Sequence, residues 1–154
     1  MSEVTLIPSP SSQALHTPSN PSNPTPTHLI LLTCHSIYVS GDPTYPTSWL
    51  LAPFQKAGNE HLTFLNHITL ASSLLSSDPN ALLVISGGST RKEVCKSEAR
   101  GYFEVGKERG LWSEEGFEGR IILEEKALDS YGNLLRGLIA FGGGWEMAWE
   151  GDGG

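Results

Sequence analysis

The stretch "LLVISGGSTRKEVCKSEAR", residues 82–100, decides how this chain folds. Apolar residues run without a break into Ser86, Gly87, Gly88, Ser89 and Thr90, and a charged segment with helical spacing follows. A continuous apolar run suits a strand buried on both faces. The two glycines allow close backbone approach, and a helix start beyond them offers free N–H groups to an anion. Alone, "SGGST" reads as a strand-to-helix turn, because it is neither a G-x-G-x-x-G fingerprint nor a P-loop.

Working outward, "HLILL" at residues 28–32 is a second buried run, and "RIIL" at 120–123 a short third one. Between them lie helical patterns. In "EHLTFLNHITLASSLLSSDP" Leu62, Leu65, Ile68 and Leu75 recur at helical spacing, Phe64 and Ala71 widen the stripe, and Asp78-Pro79 ends it. "SEARGYFEVGKERG" turns Ala99, Tyr102, Phe103 and Gly106 toward the sheet and stops at Gly110; Thr90 and Glu93 also fit a capping box, so its start is open. "DSYGNLLRGLIAF" carries Tyr131, Leu134, Leu135 and Leu138 on one face, with Asp129 or Ser130 as cap. Strand and helix alternate three times, which predicts an α/β fold: a Rossmann-like three-layer α/β/α sandwich on a parallel sheet of about three strands.

Residues 1–27, rich in Pro, Ser, Thr and Asn, have little to bury and are expected to be disordered. Residues 28–141 form the domain, and 142–154 a Gly-rich acidic tail. The loop "VSGDPTYPTSWLLAPFQKAGN" is long for a compact domain, which suggests a functional wall or lid, with Trp49 and Phe54 expected to pack inward. The net charge of −7 argues against a nucleic-acid partner; Arg91 and Lys92 do not overturn it. No apolar run suits a membrane span, and no secretory leader is evident. Cys34 and Cys95 give neither a disulfide framework nor zinc spacing, so a reducing, cytoplasmic setting is expected and no metal site.

In doubly wound sheets ligands lie beyond the carboxyl ends of the strands. Three polar clusters are predicted at that edge: Thr33 to Ser36, Ser86 to Thr90, and Glu124-Glu125 leading to Asp129-Ser130. Gly87, Gly88 and Ser89 would offer backbone donors to an anionic or ribose group. Glu98 and Glu124 are candidate acid/base groups or hydroxyl acceptors, set against the plainer alternative of solvated charges. His35 is a candidate base at the end of the first strand, or a structural residue. Asn133 either binds a ligand or ties the preceding loop. Cys34 is a small buried hydrophobe, and it points away from His35 because neighbours on a strand alternate.

The order "SGGST…SEAR…LEEKALDSYGN" resembles the YdcF/SanA/ElyC-like family, a domain of unknown function. The family's pattern falls on Ser86, Gly87 and Gly88, on Ser97, Glu98 and Ala99, on Glu124, and on Ser130 and Asn133. "CHSIYVSG…SWLLAPFQKAGNEHLTFLNHI" is similar to its fungal branch, and the likeness runs from about His28 to Phe141. A usual Glu or Gln of the family is Gly132 here. Where members continue into a further strand with basic residues, this chain reads "FGGGWEMAWEGDGG", which implies a C-terminally truncated member. The resemblance implies a Rossmann-like sandwich, and such a sheet suggests a nucleotide-like or S-adenosylmethionine-like ligand.

Three readings of function follow. The first is a small-ligand site built from His35, Ser86, Gly87, Gly88, Ser89, Ser97, Glu98, Glu124, Asp129, Ser130 and Asn133. The second is a non-catalytic binding or regulatory protein, and the third a truncated, inactive family member.

Overall fold

The computed structural model describes residues 25–113 and 115–142. The expected disordered segment falls outside them up to residue 24, and so does the expected acidic tail from residue 143. Three parallel strands, β1 (His28–Thr33), β2 (Ala81–Ser86) and β3 (Ile121–Glu124), lie in the order β1-β2-β3. All six residues of central β2 are buried, as its unbroken apolar run requires. In register, Ile30 pairs with Leu83 and Leu83 with Ile121. The sheet therefore sorts its side chains cleanly between its two faces.

One face carries Ile30, Leu32, Leu83, Ile85, Ile121 and Leu123. It is covered by α2 (Glu60–Ser77) and α3 (Glu98–Glu108) through Phe64, Leu65, Ile68, Leu75, Ala99, Tyr102 and Val105. The other face carries Leu29, Leu31, Leu82, Val84 and Ile122, and packs against Ala140 and Phe141 of α4 (Ser130–Gly142). The fold is thus α/β, with helices on both sides of a three-stranded parallel sheet.

Two helix stripes differ from expectation. On α2, Leu62 is exposed, and buried His61 takes its place beside Phe64 and Leu65. On α4 the expected inner face lies outward: Tyr131 is 74% exposed, and Leu134, Leu135 and Leu138 are about half exposed. The helix instead seats Asn133 and Gly137 against the sheet. A Cβ at Gly137 would stand 2.5 Å from Leu31 Cδ1, so this approach depends on a missing side chain.

The start of α3 is settled at Ser97, whose hydroxyl accepts from the Arg100 N–H at 2.9 Å. Thr90 and Glu93 therefore do not open the helix; they stand in the connection before it. Its end agrees with expectation, with Gly110 in the left-handed region at φ +69°.

The long loop after β1 is folded onto the core. Tyr38 and Trp49 form an isolated antiparallel bridge, and Trp49 packs edge-on to Tyr38, Phe64 and Tyr102 at 5.5–5.7 Å. Lys96 holds the loop to α3: its ammonium donates to the Val39 carbonyl at 3.0 Å, pairs with Glu104 at 2.5 Å and lies over the Tyr38 ring. The short helix α1 (Pro53–Ala57) closes the loop, but Phe54 points outward, 69% exposed, rather than into the core.

Candidate functional site

All three predicted polar clusters stand at the carboxyl edge of the sheet, where the strand ladder runs on into the loops. The Cys34 N–H donates to the Ser86 carbonyl and the Gly87 N–H to the Glu124 carbonyl, both at 2.9 Å. Beyond that edge the candidates separate into two groups.

The first group is sealed. Ser86, fully buried, donates its hydroxyl toward Glu124 Oε2 at 2.8 Å and lies 3.0 Å from Asn133 Oδ1. The Glu124 carboxylate accepts from the Lys126 N–H at 2.8 Å and the Ala127 N–H at 3.3 Å, so it ties down the turn that follows its own strand. Asp129 caps α4 by accepting from the Gly132 N–H at 2.6 Å, and Ser130 is simply the first helical residue, exposed. Ser97 donates to Glu125 Oε1 at 2.7 Å, which joins the start of α3 to the same turn.

The glycines belong with this packing. A Cβ on Gly87 would stand 2.7 Å from Cys34 Cβ, and one on Gly88 would stand 2.5 Å from the Ala127 carbonyl oxygen. The Gly88 N–H donates to that oxygen at 2.6 Å. The carbonyls of Gly88 and Gly87 in turn accept from the N–H groups of Glu98 and Ala99 at 3.0 Å. The expectation of Gly87 and Gly88 as backbone donors to a ligand is corrected accordingly. Their N–H groups, and the first N–H groups of α3, are bonded within the fold, while Ser89 beside them is exposed.

The second group is open. A cleft of about 310 Å³ is lined by His35, Ser36, Ile37, Leu50, Ala52, Phe54, Gln55, Thr90, Arg91 and Glu98. Two of its polar walls are structural. Gln55 donates to the His35 carbonyl at 3.0 Å and accepts from the Ala52 N–H at 2.9 Å, and Ser36 donates to the Leu50 carbonyl at 2.9 Å. Glu98 is 8% exposed and accepts from the Thr90 hydroxyl at 2.9 Å through Oε1 only. Burial raises its carboxyl above the usual range, against the opposing pull of Thr90 and of nearby Arg91.

Among the described residues Arg91 takes part in neither a hydrogen bond nor an ion pair, although it is close enough to act on Glu98. The His35 ring lies 6.1 Å from that of Phe64. Desolvation and then the charge of His67 lower its pKa, with Glu60 opposing, so the imidazole is neutral near pH 7. Cys34 lies behind Gly87 as a buried thiol whose pKa is pushed well up by burial, then by Glu98 and Glu124.

The structure thus brings His35 and Glu98 into one cleft and gathers Ser86, Glu124 and Asn133 into a network that does not line it. Sequence reasoning placed Thr90 in the polar cluster after β2 without giving it a role, and left Arg91 out of the site. The signal was present: both directly follow the glycine turn, where a side chain reaches back over the strand end. Gln55 was missed as well, and nothing in its local sequence marks it. Among the described residues no cluster of His, Cys, Asp and Glu suits a metal ion, and no helix is long and apolar enough to cross a membrane.

No family model matches this chain. No solved structure matches it either. The uncharacterised protein YOR238W of Saccharomyces cerevisiae is 41% identical over 86 residues, covering 49% of this chain and 28% of the yeast protein. The chain therefore matches only about a quarter of the length of that relative.

Proposed function

We propose that this chain is a small-ligand-binding α/β domain of the YdcF/SanA/ElyC-like type, working in the cytoplasm, with its site in the cleft at the ends of β1 and β2. The ligand is a small polar molecule of nucleotide-like or S-adenosylmethionine-like character, not a nucleic acid. Arg91 and Glu98 are its charged anchors, and neutral His35 is the proton acceptor or hydrogen-bond partner. Ser86, Glu124 and Asn133 hold the strand ends in position.

The observation that carries this reading is the state of Glu98 and Arg91. A buried carboxyl held through Oε1, beside an exposed guanidinium bonded to no other protein group, offers a ligand two groups of opposite charge at one cleft. A cleft near the lower end of the ~300–1,000 Å³ usual for ligand sites suits a small molecule. Two unpaired cysteines, one buried and one exposed, fit a reducing compartment.

The test is thermal unfolding of the full chain with nucleotides, S-adenosylmethionine and phosphate. A ligand of the folded state adds about 2.7 kcal/mol at a hundredfold excess over its dissociation constant. Arg91→Ala should remove that gain; a gain that survives Arg91→Ala would place the site elsewhere.

A further inference from the structure

The unpaired groups of the cleft have a definite charge pattern, and it narrows the ligand. Gln55 and Ser36 are satisfied by backbone, and Thr90 is turned to Glu98. The ionisable residues left along the lining are Arg91, Glu98 and His35, beside Ile37, Leu50, Ala52 and Phe54. Arg91 and Glu98 stand near each other without forming an ion pair.

A simple anion entering here meets Arg91 but is opposed by Glu98 once that group ionises. A simple cation meets Glu98 but is opposed by Arg91. A polyphosphate finds a single unpaired cation, too few for its charge. A ligand carrying both signs on neighbouring atoms completes both groups at once.

Resting on the reading above only in that the cleft is a ligand site, and in place of a nucleotide-like ligand, we propose that the cleft binds a free α-amino acid with an apolar side chain. Its carboxylate pairs with Arg91, its ammonium with Glu98 Oε2, and its side chain lies against Phe54, Leu50 and Ile37. Glu98 then gains a charge-assisted hydrogen bond, the stronger class of such bonds. The guanidinium meets a carboxylate, the planar group it fits best. His35 hydrogen-bonds the same carboxylate from the β1 side.

The test uses the full chain and five probes: L-phenylalanine, N-acetyl-L-phenylalanine, which lacks the ammonium, L-phenylalaninamide, which lacks the carboxylate, a nucleotide and inorganic phosphate. Binding is followed by amide NMR shifts. L-phenylalanine is expected to shift Thr90, Arg91 and Glu98, and to bind at least about tenfold more tightly than either derivative. Glu98→Gln should weaken L-phenylalanine and leave the N-acetyl compound unchanged, and Arg91→Gln should do the converse with the amide. Both variants keep the fold, since Arg91 has no internal partner and the amide oxygen introduced by Glu98→Gln can still accept from the Thr90 hydroxyl.

Equal binding of L-phenylalanine and its N-acetyl form would overturn the inference. So would shifts in the cleft from a nucleotide or phosphate but none from L-phenylalanine, and that outcome would leave the cleft standing as a ligand site. No shift at these residues from any probe would overturn both.

Discussion

Gly87 and Glu98 meet across the junction of β2 and α3: a Cβ on Gly87 would stand 2.8 Å from Glu98 Cβ and 3.0 Å from its Oε2. The glycine is what leaves room for the buried carboxyl beside the end of β2. Gly87→Ala is therefore expected to destabilise the fold by about 1–3 kcal/mol, the usual cost of overpacking, because the obstructing atoms of Cys34 and Glu98 are Cβ atoms fixed to backbone. Urea unfolding checks this. An unchanged midpoint would mean that the strand ends move apart easily.

Burial raises the Glu98 carboxyl, so the folded chain holds a proton there more tightly than the unfolded chain does. The stability this contributes is full below the ordinary glutamate pKa of about 4.3 and is lost as pH rises through the raised folded value. Glu98→Gln should remove that pH-dependent loss and keep the Thr90 hydrogen bond. At pH 7 the variant is expected to melt no lower than the parent. A melting temperature that falls below the parent's at pH 7 would show the ionised carboxylate to be stabilising.

His35 moves the other way. Its lowered pKa means that the fold disfavours imidazolium, so its contribution to stability is present above the ordinary histidine value and is lost as pH falls through the folded one. An NMR titration should place its midpoint below about 6.5. His67→Asn should move that midpoint upward by removing a neighbouring positive charge.

Glu124 is expected to behave as a structural carboxylate. Its oxygens accept from Ser86 Oγ and from two backbone N–H groups, and the group is buried. Glu124→Ala leaves the two backbone N–H groups unmet, while Ser86 can still donate to Asn133 Oδ1, at about 1–3 kcal/mol for each buried group left without a partner. Ligand response in the surviving folded protein should persist. Loss of ligand response at unchanged stability would instead return Glu124 to the site.

Much of the fold was legible because apolar runs of strand length between helical stripes leave few topologies. "ALLVIS" could be only a central strand, and Ser97-Glu98-Ala99 marked the true start of α3. The outward face of α4 was not legible. Periodicity says that Tyr131, Leu134, Leu135 and Leu138 share a face, but a helix seated through Asn133 and Gly137 turns that face away from the sheet. The site was half legible for a related reason. Sequence order brought His35, Ser86, Glu98 and Glu124 to one edge, but whether a carboxylate there faces solvent or a neighbouring N–H depends on a turn such as 125–128, whose hydrogen bonds are not written in spacing.

The central claim is that the cleft between the β1 loop and the start of α3 is where a ligand sits. The most direct measurement is a map of amide NMR shifts on the full chain, titrated with the amino acid, nucleotide, S-adenosylmethionine and phosphate probes. Saturable shifts centred on His35, Thr90, Arg91 and Glu98, abolished by Arg91→Ala, are the predicted result. Shifts centred on the outer face of α4, or none at the cleft with any probe, would contradict it.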